Sequence, residues 1–360
     1  MNTFGRIFRF TSFGESHGLC VGGVIDGVPS NIELDIDEIQ SDVDRRRPGR
    51  NDMVSPRKED DKVIFISGLK GNITLGSPLA FIVMNNDFRE KDYKDISNVF
   101  RPSHADFTYY SKYGISSDSG GGRASARETL VRVVVGAIAK QILRSIGIKI
   151  YAYTHSIGNV SCPYKIELNT IKKYIGKENL LNCPFLEISE RMKDEIESAK
   201  MSKDSVGGIV RCIITCLPIG LGEPVYDKLS ARFAYAMMSI NAAKSFSIGY
   251  ANEICSSRGS QVNDQMKVND NGEIIFLSNY SAGIQGGISN GQDIYMDIAF
   301  KPTPTISSNQ NTINKDLKNV ELQCFGRHDP CVVPRAVPVV ESMAAIVLLD
   351  MYLIMKTNKF

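Results

Sequence analysis

Residues 120–145 read GGGRASARETLVRVVVGAIAKQILRS, and the change of pattern inside this stretch decides the fold class. Three glycines and two arginines, Arg123 and Arg127, lead into a run in which Leu130, Val134, Ile138 and Ile142 recur every fourth residue. That spacing stacks side chains on one face of an α-helix. Val131, Val133 and Val135 fill the other faces, so the helix expected over 124–145 is buried on most sides.

Outward from this helix, segment 19–28 (LCVGGVIDGV) alternates small and apolar residues and ends at Pro29, a strand-and-turn pattern. Segments 62–66 and 78–84 read the same way, as do 206–217 and 293–300 later in the chain. A helix is expected over 229–240, and Asp270-Asn271-Gly272 makes a hairpin turn between 266–268 and 273–277. A second apolar helix is expected over 337–355. Segment 163–204 is richer in Lys and Glu, carries a helical stretch over 187–200 and reads as peripheral. Strands and helices mix in both halves without a steady βαβ beat, which predicts an α+β fold with helices layered against antiparallel sheets. One buried helix in each half hints at an internal duplication, although no sequence period is visible. Nothing resembles an interdomain linker, so residues 1–360 read as one domain.

The chain carries 42 Lys+Arg against 40 Asp+Glu, a formal charge of +2, so any basic site must be a local cluster. Thirty Gly and 14 Pro exclude collagen-like and low-complexity classes. Eight cysteines form no CxxC and no Cys/His zinc spacing. They are expected as reduced thiols, with Cys212 and Cys216 on one face of a buried strand. No apolar run of signal-peptide length opens the chain, and the stretches 130–142 and 344–355 read as too short for a membrane span. A cytoplasmic protein with no membrane partner is expected.

Three of the four histidines lie in turns framed by Gly, Pro and charged residues: His17 in FGESHG, His104 in RPSHAD and His328 in GRHDP. A neighbouring anion raises a histidine pKa and lets it donate a proton near neutrality. His155, in YAYTHSIG, has no such frame and reads as structural. Arginines gather in the same places: Arg45, Arg46, Arg47 and Arg50 around Pro48-Gly49, then Arg101, Arg123, Arg127, Arg327 and Arg335. A guanidinium fork matches carboxylates and phosphates. The run RRRPGR alone is equally a solvated basic turn or an RNA contact. With every histidine turn carrying or facing an arginine, a small polyanionic ligand explains the set better. Gly120-Gly121-Gly122 opens a helix, where backbone N–H groups meet anions, but matches neither GxxxxGK[ST] nor GxGxxG. There is no GxSxG and no HExxH. From residues alone the reading is an enzyme using histidine acid–base chemistry on a small phosphorylated or polycarboxylate substrate. A flavin oxidoreductase and an RNA-binding module are the rivals. The missing dinucleotide fingerprint and the near-neutral charge count against them respectively.

Eight motifs occur in order: FGESHG (13–18), DRRRPG (44–49), FRPSHADFTY (100–109), GGGRASARET (120–129), SINAAK (239–244), GGISNGQ (286–292), KPTPT (301–305) and GRHDPC (326–331). Together they resemble chorismate synthase over essentially the whole chain. The resemblance implies conversion of 5-enolpyruvylshikimate 3-phosphate to chorismate and phosphate by 1,4-anti elimination, the last step of the shikimate pathway, with reduced FMN and no net redox change. It implies a β-α-β sandwich of helices packed with antiparallel sheets, and a homotetramer. No long insertion of the kind found in self-reducing members is present, so a separate flavin reductase is expected.

By the same resemblance His17 is the acid that maintains the protonation state of the reduced flavin, and His104 the acid that assists the departing phosphate. Asp329 works with the flavin as the base, and Ser16 and Ser125 support the proton transfers. The positions matching FMN contacts are Arg123, Ala124, Ser125, Asn241, Ala242, Gly286, Lys301, Pro302, Thr303, Pro304, Thr305 and Arg327. Arg46 matches a position associated with nicotinamide nucleotide binding, NADPH being an indirect electron source, and is equally a substrate candidate; a second such position, usually basic, falls near Asp52. Arg45, Arg50, Arg101, Arg127 and Arg335 are the substrate-anion candidates. No metal is implied. Ser103 stands where the family often has glycine, which requires a backbone angle tolerable to a residue with a Cβ. Ala124 stands where it often has serine.

Overall fold

The structure is a computed structural model that describes residues 1–47, 49, 60–86, 98–116, 121–174, 180–324 and 329–358. Arg50, Asp52, Gly120, Arg327 and His328 lie outside the described residues.

The N-terminal half supplies β1 (Thr3–Phe4), β2 (Arg9–Phe13), β3 (Cys20–Asp26), α1 (Ile36–Arg46), β4 (Ile64–Ser67), a small hairpin of β5 (Leu69–Lys70) and β6 (Ile73–Thr74), and β7 (Leu79–Met84). Strands β1-β2-β3-β7-β4 pair in that order as an antiparallel sheet. Helices α2 (Asp106–Tyr113) and α3 (Thr129–Ser145) follow. The C-terminal half begins with β8 (Lys149–Ile157), β9 (Val160–Ser161), α4 (Leu168–Tyr174), α5 (Leu186–Met201), β10 (Gly208–Thr215), α6 (Leu229–Met238) and β11 (Ala243–Ile248). It continues through α7 (Ala251–Cys255), α8 (Gly259–Val262), the hairpins β12 (Met266–Val268) with β13 (Ile274–Phe276) and β14 (Ile284–Gln285) with β15 (Ile288–Ser289), then β16 (Ile294–Phe300). A last hairpin, β17 (Gln310–Ile313) with β18 (Asn319–Leu322), precedes α9 (Val333–Thr357). Strands β11-β16-β10-β8-β9 form the second antiparallel sheet.

Helices α3 and α9 lie against each other, α3 touching β3 and α9 covering β8 and β10. The result is a β-α-β sandwich, the α+β arrangement expected. Sheet residues alternate accordingly: Ile294, Met296 and Ile298 are buried, as are Val210, Cys212 and Ile214 on the paired strand. Counted among the strands of its own sheet in chain order, the third, fifth and fourth lie side by side in that order in both sheets, and each half ends in a long core helix.

Several expectations need correction. The first core helix begins at Thr129 rather than at 124, because Ser125 is extended (φ −69°, ψ 145°) and divides two short 3-10 turns, Gly122–Ala124 and Ala126–Glu128. The last helix is longer than 337–355. Over Val333–Thr357 it is long and apolar enough to cross a membrane by length and composition, yet most of it is buried between the sheets. Cys216 does not share a buried face with Cys212: it is exposed, beyond the end of β10. Segment 163–204 is not wholly peripheral, since Ile171, Leu181, Cys183, Met192 and Ile196 are buried. The described cysteines are free thiols.

Candidate active site

The N-terminal ends of the two core helices lie together, and the charged motifs collect there. Arg46, the last residue of α1, is only 2% exposed. Its guanidinium donates to the Thr129 hydroxyl (3.2 Å) and the Ala126 carbonyl (3.1 Å) and faces Asp61 at 3.4 Å. Asp61 also forms a buried ion pair with Arg127. Arg335, in the first turn of α9, pairs with Asp329 and donates to the Arg46 carbonyl at 3.1 Å. Arg46, Asp329, Arg335, Thr129 and Asn241 line a cavity of about 70 Å³ between them. Three guanidinium groups thus face two carboxylates. Burial, with Arg335 and Arg127 alongside, pushes the Arg46 guanidinium down to about 9, against the pull of Asp61 and Asp329. It is still charged at neutral pH, in a pocket short of anions.

The two histidines stand on turns tied to this centre. Ser16, 1% exposed, places its hydroxyl 2.8 Å from His17 Nδ1. The His17 turn is anchored by Asn85, whose amide donates to the Glu15 and Gly18 carbonyls (3.1 and 2.7 Å). Asn85 Oδ1 in turn accepts from Arg127 at 2.9 Å, which joins the turn to the arginine cluster. Arg123 reaches back to the Gly14 carbonyl (3.1 Å) and the Ser12 hydroxyl (2.6 Å). His104 sits at the start of α2, with Nδ1 2.6 Å from Asp106 Oδ1. Ser103, before it, adopts φ +56°, the left-handed conformation that favours glycine. Lys301 Nζ donates to the Ser103 carbonyl at 2.8 Å, and burial, then Lys244, lowers the Lys301 pKa.

The residues matched to FMN fall around the 3-10 turns. Asn241 donates to the Ala124 carbonyl at 2.9 Å, and the Lys301 N–H donates to the Ala242 carbonyl at 3.0 Å. Ser125 accepts from the Arg127 N–H at 3.3 Å. A second cleft, of about 340 Å³, is lined by Arg123, Ala124, Asn241 and three tyrosines, Tyr109, Tyr113 and Tyr235. Two buried polar atoms of the matched residues, Asn241 Oδ1 and Thr303 Oγ1, have no hydrogen-bond partner among the described residues. Thr305 is buried and Pro302 and Pro304 shape the loop beside it. Gly286 stands apart. It turns the β14–β15 hairpin with φ +59°, and the Gly287 carbonyl of that turn accepts from Leu229 at the end of α6 opposite Asn241.

All four described substrate-anion candidates pair with protein carboxylates, Arg127 with Asp61 and Arg335 with Asp329 at the central pocket, and Arg45 and Arg101 elsewhere. Arg45 grips the buried Glu341 of α9 bidentately (2.6 and 2.9 Å) and meets Asp42 at 3.1 Å. Arg101, 7% exposed, donates to Asp106 through Nε (2.7 Å) and NH2 (2.8 Å). His155 is buried in β8, where burial and then Arg211 push it down to about 4, so it is neutral and structural as expected. Three residues of the cluster are absent from the sequence reading. Asp106 had a signal, a carboxylate two residues from a turn histidine. Asp61 and Asn85 had none, since nothing local to them names their partners.

The chorismate synthase family model matches residues 8–353. The chorismate synthase of Porphyromonas gingivalis is 51% identical over 362 residues, covering 100% of this chain and 97% of its own. That of Azobacteroides pseudotrichonymphae is 51% identical over 353 residues, 98% of this chain and 99% of its own. A crystal structure of a chorismate synthase matches with a TM-score of 0.78 at 31% identity, covering 97% of this chain and 92% of the other.

Proposed function

The chain belongs to the chorismate synthase family, and from that premise we propose that it converts 5-enolpyruvylshikimate 3-phosphate to chorismate and phosphate, with reduced FMN as cofactor. The observation that carries the reading is the charge of the central pocket: among the described residues Arg46, Arg127 and Arg335 stand against Asp61 and Asp329, and burial, then Arg335, pushes Arg46 down. A substrate with one phosphate and two carboxylates supplies the missing anions.

In the proposed 1,4-anti elimination the C–O bond to phosphate and a ring C–H bond break, and no net electrons are gained or lost. The arginines hold and orient the anionic groups. His104 gives a proton to the departing phosphate, and Asp329 takes up the proton lost from the ring. His17, held by Ser16, keeps the proton on which the cofactor's working state depends, and Ser125 assists. Acid–base help of this kind is typically worth ~10²- to 10⁴-fold in rate. The 340 Å³ cleft, its aromatic lining and the unpaired Asn241 oxygen suit a flat polar cofactor. Arg123, Ala124, Ser125, Asn241, Ala242 and the 301–305 loop would hold FMN, which supplies electron density as phosphate leaves and recovers it afterwards.

The proposal extends to a single-domain, cytoplasmic homotetramer whose flavin is reduced by a separate reductase, with NADPH as the indirect electron source. Arg101 and Arg45 act within the protein rather than on substrate. The test is an anaerobic assay with 5-enolpyruvylshikimate 3-phosphate and dithionite-reduced FMN, following chorismate and phosphate together. Equal yields of both without net flavin oxidation are expected. Absence of product with both ligands demonstrably bound would sink the activity.

A further inference from the structure

We propose that Asp106 is a positioning residue for His104, holding the imidazole proton on Nδ1 so that Nε2 is the atom that trades a proton with substrate. The inference rests on the reading of His104 as the phosphate-side acid. Its geometry is independent of that reading.

His104 Nδ1 lies 2.6 Å from Asp106 Oδ1 and 3.0 Å from Arg101 NH2. Arg101 is a donor only, and Asp106 as a carboxylate is an acceptor only, so Nδ1 cannot serve both. The shorter contact and the opposite charge select a proton on Nδ1 donated to Asp106. Arg101 is engaged by Asp106 without the histidine: its backbone N–H (3.2 Å), Nε (2.7 Å) and NH2 (2.8 Å) all reach the same carboxylate. Asp106 is therefore fixed from two sides and cannot swing away from the ring. Burial alone would push its carboxyl up, but the hydrogen bonds from Arg101 and His104 hold it well below the usual range. It stays charged wherever the enzyme works.

The other edge of the ring lies against Gly121. A Cβ on Gly121 would lie 3.1 Å from His104 Cε1 and 3.5 Å from Nε2. Gly121 has φ +106°, which side-chain-bearing residues rarely adopt. One edge of the imidazole is thus bonded to Asp106 while the other faces bare backbone. The charged and titratable groups around it among the described residues are Asp106, Arg101, Lys301 with Lys244 behind it, and the Cys324 thiol. Asp106 is the anion in contact with the ring.

The test combines a spectroscopic and a kinetic readout on the full-length protein. With ¹⁵N-histidine labelling and the four histidines assigned by substitution, neutral His104 should carry its proton on Nδ1. A proton on Nε2 would overturn the proposal, and this measurement needs no variant. In Asp106→Asn the imidazole should lose its fixed tautomer, because an amide can donate as well as accept, and kcat should fall on the order of 10²-fold with KM little changed. A merely structural role would leave the Nδ1 tautomer in place in the variant, which would refute positioning. His104→Ala separates the two readings. If it abolishes turnover while Asp106→Asn keeps the tautomer, only the positioning role fails. If it leaves turnover intact, the acid role falls and the proposal with it.

Discussion

Gly136 lies in the middle of α3, where helix propensity favours alanine by roughly 1 kcal/mol. On propensity alone Gly136→Ala should stabilise the protein. The crossing of α3 and α9 predicts the opposite. A Cβ on Gly136 would lie 2.2 Å from Ser342 Cβ, 2.4 Å from Ser342 Cα and 2.6 Å from its Oγ. Ordinary contact begins near 3.4 Å, so the helices must part by about an ångström. The obstacle includes a Cα of the facing helix, which no rotamer change can remove. Overpacking of this kind costs about 1–3 kcal/mol, sometimes more, and the propensity gain offsets only part of it. We therefore expect a net loss of up to about 2 kcal/mol by urea denaturation followed by circular dichroism at fixed protein concentration. Turnover should suffer beyond the loss of folded protein, because α3 follows Ala126 and Arg127 while α9 carries Arg335 and follows Asp329. A shift of about 1 Å between catalytic groups can slow an enzyme on the order of 10²-fold. Ser342→Gly in the same chain removes the two obstructing side-chain atoms and should recover part of the stability. A Gly136→Ala protein more stable than the parent would refute the close approach of the helices.

The Arg45–Glu341 pair joins α1 to α9 in a buried network with Lys140 and Asp42. Although burial pushes the Glu341 carboxyl up, Arg45 and Lys140 outweigh it and hold it below the ordinary range. Glu341→Ala should cost about 3–5 kcal/mol by stranding buried cations. In a double-mutant cycle with Arg45→Met the two losses should fall well short of adding, whereas simple additivity would place Arg45 outside the network. At Ser103, φ +56° penalises any side chain by about 1–2 kcal/mol, partly offset by the unfolded-state entropy of glycine. Ser103→Gly should gain roughly 0.5–1 kcal/mol in denaturant titration, and a loss would mean that the Ser103 hydroxyl matters more than the backbone.

Periodicity exposed those elements whose burial alternates cleanly. Helix α3 and strands β7 and β16 present one apolar face to a helix layer, so their patterns are strong. Strand β10 is buried over its last six residues and was legible from its largely unbroken apolar run instead. Strand β11 (AKSFSI) is half exposed on both faces and carries no such pattern. Strand β8 (KIYAYTHSI) hides for the opposite reason. Its last six residues are all buried, because the outer face is covered as well, and polar groups are buried among them. The start of α3 was misplaced because Arg123-Ala124-Ser125-Ala126 has good helical composition, while the chain there is two tight turns around an extended serine. Those turns bring Ala126 and Arg127 to the site, and composition cannot distinguish them from one more turn of helix.

The site was legible as a set of motifs and illegible as a set of roles, for a reason that Arg45 and Arg46 make plain. They are neighbours in one basic run and look interchangeable. On an α-helix successive side chains point 100° apart, so Arg45 turns toward Glu341 on α9 and Arg46 toward Thr129 and Asp61. One clamps the core and the other stands in the pocket. Arg101 makes the same point from the other side: beside a histidine in a charged turn it reads as a substrate ligand, but the carboxylate two residues after that histidine pairs with it. Whole-chain charge is equally blind. A net +2 spread over 360 residues says nothing of a pocket where three guanidinium groups share two carboxylates. What selects an anionic substrate is that local deficit, held in place by burial, and it comes into being only when Arg46, Arg127 and Arg335, far apart in the chain, meet at the ends of α1, α3 and α9.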